Sequence, residues 1–170
     1  MAPSNNGLDL LFEVCFNKFM IHTILEDNSP ILFQRSEEIT TESAEEIEQL
    51  ISDMFETLEL GGVGLSAIQI GIKKRIFIIS YMNEKMAFVN PVLVPAVGAQ
   101  LVYGNEGCLS RPGIEVKMRR WDKVVITSQD KSKNPSQKTL KGFMARIAQH
   151  EYDHLNGKVI GLKGPLTKIE

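Results

Sequence analysis

Hydrophobic positions recur with helical spacing in residues 40–62, where they lie 3, 1, 3, 1 and 3 residues apart. The members of this stripe are Ile47, Leu50, Ile51, Met54, Phe55 and Leu58. Such spacing places them on one face and predicts an amphipathic helix with its apolar face in the core and its acidic face in solvent. Ser43 with Glu46 forms a capping-box pattern at the start, and Gly61 and Gly62 favour an end.

Short apolar runs follow that helix and predict strands at residues 75–80, 86–90, 91–97, 123–130 and 136–142. Prolines interrupt the run at 91–97, so we expect an edge strand there. A second helix is predicted over residues 142–157, ending at Asn156 and Gly157. This order predicts an α+β fold of mostly antiparallel sheets packed around the C-terminal helix, with the amphipathic helix towards the N-terminus.

The predicted C-terminal helix carries Phe143, Ile147, His150 and His154, which step by 4, 3 and 4 residues and share one face. Two histidines four residues apart can bind one metal ion, and Glu151 lies between them where it can move protons. Phe143 and Ile147 would form an apolar wall beside the metal, although ordinary core packing explains them equally well.

The composition and length bear on the number of domains and on membrane association. A chain of 170 residues with 43% hydrophobic and 24% charged residues is typical of one globular domain. No apolar run approaches the roughly 18 residues of a membrane span, so we expect no membrane association. Residues 1–19 match a targeting peptide poorly, which favours an N-terminal extension or leader before a single domain over residues 20–170.

The distribution of charge and the number of cysteines bear on possible partners and on the redox compartment. Residues 1–60 hold 13 acidic and 2 basic residues, whereas residues 61–170 hold 8 acidic and 17 basic ones. The basic part could favour an anionic partner such as RNA, but two solvated faces of different charge explain the pattern more simply, and we expect no sequence-specific binding of nucleic acid. Cys15 and Cys108 form no disulfide framework, which indicates a reducing compartment such as the cytoplasm.

The histidine pair needs a third ligand. Residues 155–170 contain no histidine, cysteine or aspartate and one acidic residue, Glu170, so the ligand must come from upstream. His22 lies in an irregular segment without supporting neighbours and is better interpreted as a surface residue. Cys108 lies among the loop-forming residues of NEGCLSRPG, which suits a ligand presented from a turn. One cysteine with two histidines leaves a fourth tetrahedral position open, as in catalytic sites.

Three segments together resemble the peptide deformylases. That family carries a glycine-rich segment ending in glutamine, then E-G-C-[apolar]-S, then Q-H-E-x-D-H, and this sequence has GVGLSAIQ (62–69), EGCLS (106–110) and QHEYDHLNG (149–157) in the same order. The resemblance covers roughly residues 20 to 160. Ser66 stands where the family usually has alanine; because both side chains are small, we expect little effect. Three motifs in register are far more specific than any one of them.

The resemblance implies removal of the formyl group from N-formyl-methionine at the start of new polypeptides. A divalent metal held by Cys108, His150 and His154 would lower the pKa of bound water toward neutrality. Glu151 would take a proton from that water and deliver it to the leaving amine. The family's metal is usually ferrous iron, which zinc, nickel or cobalt can replace, and we expect Fe2+ as the native ion.

Further roles follow from the same resemblance. The Leu109 backbone N–H and the Gln69 side-chain amide would donate to the formyl oxygen. Extended substrate would pair with backbone at Val63, Gly64 and Gly107, while Phe143 and Ile147 would line the methionine pocket. Glu106 and Asp153 would orient ligands or serve as salt-bridge partners.

The implied partners are nascent formyl-methionine peptides. Many bacterial members continue into a C-terminal helix linked to ribosome docking, and because this sequence ends soon after His154, we expect only weak association with the ribosome. The implied setting is bacterial cytoplasm, including that of a virus-infected cell, or an organelle. Two alternatives stay open: a zinc endopeptidase, and a structural metal site in a non-catalytic binding module.

Overall fold

A five-stranded antiparallel sheet forms the centre of the computed structural model, which describes residues 19–162. In order across the sheet the strands are β1 (Gly64–Ser66), β2 (Ile76–Tyr81), β3 (Glu84–Pro95), β6 (Lys123–Gln129) and β7 (Pro135–Lys141). Two further strands, β4 (Leu101–Cys108) and β5 (Arg111–Trp121), pair only with each other. The predicted α+β class with antiparallel strands is confirmed; residues 1–18, nearly all of the predicted extension, lie outside the described part.

Two helices cover opposite faces of the central sheet. Strand β2 is buried on both sides, and its alternating residues point to different cores. Phe77 and Ile79 join the core cluster that contains residues of α2 (Gly142–Leu155), whereas Ile76 and Ile78 join the cluster that contains residues of α1 (Ala44–Leu58). The run at 75–80 is apolar without alternation because both faces of this strand pack against apolar residues.

Both helices begin and end where their local sequence predicts. Ser43 caps α1 with both hydrogen bonds of the capping box to Glu46 present. Helix α2 ends at Leu155, followed by Asn156 and by Gly157 with a φ of 69°. Within residues 19–162 neither helix is long and apolar enough to cross a membrane.

Residues 84–95 form one strand, β3, which lies between β2 and β6 in the order of the sheet. Its pairing with β2 ends at Val89, and among the described residues positions 92–95 pair only with β6. The segment at 91–97 is therefore paired on one side only, as predicted for an edge, although it continues the strand predicted at 86–90. The register shifts between Val89 and Val92, and Asn90 adopts a positive φ of 48°. Pro91 thus falls inside a β-bulge, where a missing backbone N–H breaks no ladder hydrogen bond.

The β4–β5 hairpin was not predicted as strands, and it carries Cys108 at the last position of β4. Cys108 is therefore a strand-end residue next to the turn at 109–110 rather than a residue within a loop. The pairing register shifts between Gly107 and Cys108, which marks the irregular end of the ladder. Helix α2 packs against β5, and this contact places the hairpin beside the histidines.

Candidate active site

Cys108, His150 and His154 converge in the interior of the fold. Their ligand-capable atoms all lie within 4.8 Å of one another, and all three residues are buried. The Nε2 atom of His154 lies 3.2 Å from the Cys108 sulfur and 3.3 Å from the Nε2 atom of His150. In a tetrahedral site with usual bond lengths, ligand atoms lie about 3.3–3.6 Å apart. The two distances from His154 are therefore close to the separation that a tetrahedral ion of that size requires.

The far side of His150 is held by a carboxylate. Its Nδ1 atom lies 3.2 Å from an oxygen of Glu106, which can only accept when ionised. This contact places the proton on Nδ1 and leaves the Nε2 lone pair facing Cys108 and His154, as a metal ligand needs. The Nδ1 atom of His154 is buried and has no hydrogen-bond partner among the described residues.

A buried ionic network surrounds Glu106. Arg120 donates to both of its oxygens at 2.9 Å, and Arg146 donates to one of them at 2.8 Å. Arg120 also pairs with Asp153 on α2. Each guanidinium therefore links the β4–β5 hairpin to the helix that carries His150. Geometry of this kind fits the predicted orienting role for Glu106 and Asp153.

Burial and the surrounding charges shift the pKa values of these groups. Burial alone would raise the pKa of Glu106, but hydrogen bonds from His150 and Arg120 lower it to about 2. Burial opposes the charged form of His150, yet hydrogen bonding to Cys108 and Glu106 raises its pKa to about 10. Burial and the nearby charges of His150 and Arg120 hold the pKa of His154 well below its usual value.

Glu151 lies in the same interior with its carboxylate between two short chain segments. One oxygen, Oε2, is 2.8 Å from the Ser66 hydroxyl. The other, Oε1, faces Gly64, where an added Cβ would lie only 2.5 Å away. Full burial raises the pKa of Glu151 above its ordinary value.

The Gln69 amide is oriented by hydrogen bonds at both ends. Its oxygen accepts from the Ser66 backbone N–H at 2.9 Å, so its nitrogen must face the other way. That nitrogen lies 3.8 Å from the Cys108 sulfur and 3.3 Å from the Ser110 hydroxyl. Gln69 thus presents donors beside the ligand cluster, and Leu109 lies next to Cys108 on the same wall.

A cavity of about 490 Å3 opens onto this cluster. Phe143 at its mouth is 47% exposed and packs against Tyr81, whereas Ile147 is buried deeper on the same face of α2. The structure places all but one of the predicted site residues on the cavity wall; His154 is buried beside it. Those lining the cavity are Val63, Gly64, Gln69, Gly107, Cys108, Leu109, Phe143, Ile147, His150 and Glu151.

His22, the rejected ligand candidate, lies apart from this cluster. It is half-buried against α1, with Nε2 3.7 Å from Asp53 and its backbone N–H bonded to Thr57. It is thus less exposed than the surface residue expected from sequence. Among the described residues the ligand cluster consists of the cysteine and the two histidines of α2.

Sequence reasoning missed two contributors to the site. Arg146 lines the cavity and is 8% exposed, and its spacing of four from His150 could have identified it as facing the same way. Ser66 was noticed as a departure from the family pattern but discounted for its size. Its contact with Glu151 depends on tertiary packing across 85 residues of sequence.

Comparison with known proteins gives one consistent family. The sequence profile of the polypeptide deformylase family matches residues 21–163. A curated relative, peptide deformylase of Dictyoglomus thermophilum, is 37% identical over 142 residues, which are 83% of this chain and 91% of that protein.

Solved structures agree. The crystal structure of peptide deformylase from Thermotoga maritima superposes with a TM-score of 0.77 at 33% identity, covering 82% of this chain and 95% of that one. The peptide deformylase of the Vibrio parahaemolyticus bacteriophage VP16T, solved in complex with actinonin, gives a TM-score of 0.75 at 35% identity over 81% of this chain and 99% of that one.

Proposed function

The chain belongs to the polypeptide deformylase family, and from that premise we propose that the cavity described above is where it removes the formyl group from N-formyl-methionine at the start of new polypeptides. As a member of this family it is a metal-dependent hydrolase. One observation carries the assignment of the site: the sulfur of Cys108 and the Nε2 atoms of His150 and His154 converge at the cavity that also holds Glu151.

Cys108, His150 and His154 would hold one divalent ion. A thiolate with two imidazoles fits several such ions, including zinc, nickel and cobalt. We take Fe2+ to be the native ion. When bound, the ion would supply a Lewis acid that acidifies water and polarises the formyl carbonyl.

Glu151 moves the proton in this proposal. Its Oε1 atom faces the cavity at Gly64, where an attacking water can lie. The carboxylate takes the proton of that water and later delivers it to the amine that leaves as the new N-terminus. A raised pKa in a wholly buried carboxyl group supports both halves of this exchange.

Charge on the formyl oxygen would be stabilised by Gln69 and Leu109. The amide nitrogen of Gln69 is fixed toward Cys108 by the bond that Ser66 donates to its oxygen. The backbone N–H of Leu109 follows Cys108 directly and completes a pair of donors. One such donor is typically worth about 3–4 kcal/mol of barrier.

Substrate would lie extended along the glycine-rich wall. Val63, Gly64 and Gly107 line the cavity, and their backbone groups would pair with the peptide. Phe143 and Ile147 would contact the methionine side chain on the opposite wall. The half-exposed Phe143 at the mouth fits a pocket wall better than the core packing that sequence left as the alternative.

The setting follows from the substrate. Nascent formyl-methionine chains are the partners, so we propose a cytoplasmic enzyme that associates weakly with the ribosome. We further propose that residues 20–170 make up one catalytic domain.

Anaerobic assays test this function. Iron, nickel and zinc forms should release formate from formyl-Met-Ala and leave an unblocked longer peptide intact, whereas an endopeptidase would show the reverse. Glu151→Ala should abolish activity while retaining metal, which a structural metal site would not predict. Full activity and full metal content in Cys108→Ala would refute the proposed site.

A further inference from the structure

The Ser66 hydroxyl contacts Glu151 at two oxygen atoms. Ser66 is fully buried, and its Oγ atom lies 2.8 Å from Oε2 of Glu151 and 2.9 Å from the backbone carbonyl oxygen of the same residue. Both partners are acceptors when the carboxylate is ionised, so the single Ser66 proton is shared between them, and the charged carboxylate is the stronger acceptor. The backbone N–H of Ser66 is separately used by the side-chain oxygen of Gln69.

The two carboxylate oxygens of Glu151 therefore have different surroundings. Oε2 lies against Ser66, which is fully buried and is not among the residues that line the cavity. Oε1 lies against the bare backbone of Gly64, which lines the cavity with Glu151. An oxygen that already accepts a hydrogen bond has less capacity left for a proton than one that does not.

The last torsion of a glutamate side chain is intrinsically loose. Rotation about it is broad and roughly two-fold, so packing of the methylenes alone does not fix the plane of the carboxylate. A charge-assisted hydrogen bond from a buried hydroxyl does fix it, because breaking that bond would leave a desolvated oxygen without a donor. Ser66 sits on β1, whose antiparallel pairing with β2 holds its backbone rigidly.

We propose that Ser66 is a positioning residue for deformylation, holding Oε2 of Glu151 so that Oε1 is the oxygen presented to water and to the leaving amine. This inference rests on the proposed function. Alanine, the family's usual residue at this position, supplies no donor, so the orientation of Glu151 in this chain depends on a contact that such a residue cannot make.

Two substitutions separate the hydroxyl from the shape of the side chain. Ser66→Ala removes the donor, and Ser66→Cys keeps a side chain of similar shape but offers only a weak donor. Both should lower kcat about tenfold, while KM for formyl-Met-Ala and bound metal per chain stay at wild-type values. A role in packing predicts instead that the cysteine variant behaves like wild type.

Ser36→Ala is the matched control. Ser36 is 3% exposed and lies outside the cavity, and the described part of the chain supplies no partner for its hydroxyl. Its removal should leave kcat unchanged.

Each result decides between the two proposals. Wild-type deformylation and its collapse in Glu151→Gln establish the function first; no formate release by wild type overturns both proposals. If wild type is active and either Ser66 variant keeps kcat within twofold, the positioning role alone is refuted. It is equally refuted if Ser66→Ala loses metal or raises KM in proportion to its loss of kcat.

Discussion

Replacing Gly64 by alanine should remove most activity through one close contact. The added Cβ would lie 2.5 Å from Oε1 of Glu151 and 2.7 Å from Cγ2 of Ile147. Ordinary contact begins at 3.4 Å, so the carboxylate must retreat by about 0.9 Å. Because the other oxygen is hydrogen-bonded to Ser66, this movement would also disturb that bond.

A misplacement of about 1 Å in a reacting group can cost about 100-fold in rate. We therefore expect kcat of Gly64→Ala to fall about 100-fold, which corresponds to about 2.7 kcal/mol of barrier, with metal content unchanged. Overpacking should also lower the free energy of unfolding by about 1–3 kcal/mol. Formate release measures kcat, and urea denaturation measures stability.

Gly98→Ala provides the opposite pattern as a control. Gly98 has a φ of +74°, and an added Cβ would meet nothing within 4 Å. Backbone strain should cost about 1–2 kcal/mol of stability while kcat stays at the wild-type value. The reasoning would be refuted if Gly64→Ala kept kcat within threefold of wild type, or if its loss of activity were matched by an equal loss of metal.

Three further predictions concern the surroundings of the cavity. The folded pKa of Glu106, about 2, lies below its ordinary value of 4.5, so its contribution to stability is complete above that ordinary value and is lost as pH falls toward 2. In Glu106→Gln the free energy of unfolding, measured in urea at pH 7, should be about 3–5 kcal/mol lower than in wild type. Below pH 5 it should depend less steeply on pH than in wild type, and equal slopes for the two proteins would contradict this. In Gly104→Ala the new Cβ would lie 2.7 Å from the Arg146 guanidinium, so its free energy of unfolding should fall by about 1–3 kcal/mol, and an unchanged melting temperature would count against the contact. Glu115 is exposed, lines the cavity and has no ion pair among residues 19–162. The kcat/KM for formyl-Met-Lys peptides should therefore exceed that for formyl-Met-Glu peptides by up to about fivefold. This preference should disappear in Glu115→Gln and become smaller as the salt concentration rises.

Local signals allowed the helices to be predicted well. The apolar stripe and capping box of α1 act within a few residues of each other, as do the stop signals after α2. The runs at 86–90 and 91–97 were predicted as separate strands, whereas a bulge at Asn90 lets Pro91 continue the strand that begins at Glu84. The residues next to a proline do not show whether it ends a strand or is accommodated by a bulge.

The ligand cluster could also be predicted from the sequence, because each ligand lies in a short motif with its own chemistry. The ionic network around the cluster could not be predicted. Arg120 and Arg146 read as solvated charges in a basic half of the chain, and only packing of the hairpin against α2 brings both onto Glu106. Ser66 shows the same limit, since its meaning depends on a residue 85 positions away.

The division of the ligands between two pieces of chain bears on how the protein acquires its ion. His150 and His154 are neighbours on one helix, but Cys108 lies 46 residues from His154. Closing a loop of that length costs about 3 kcal/mol of chain entropy, and an ion bound to the unfolded chain would have to overcome it unaided. The docked hairpin removes that cost beforehand through the buried contacts of Glu106. We therefore expect the ion to bind more tightly once the hairpin and α2 have packed together than to the unfolded chain.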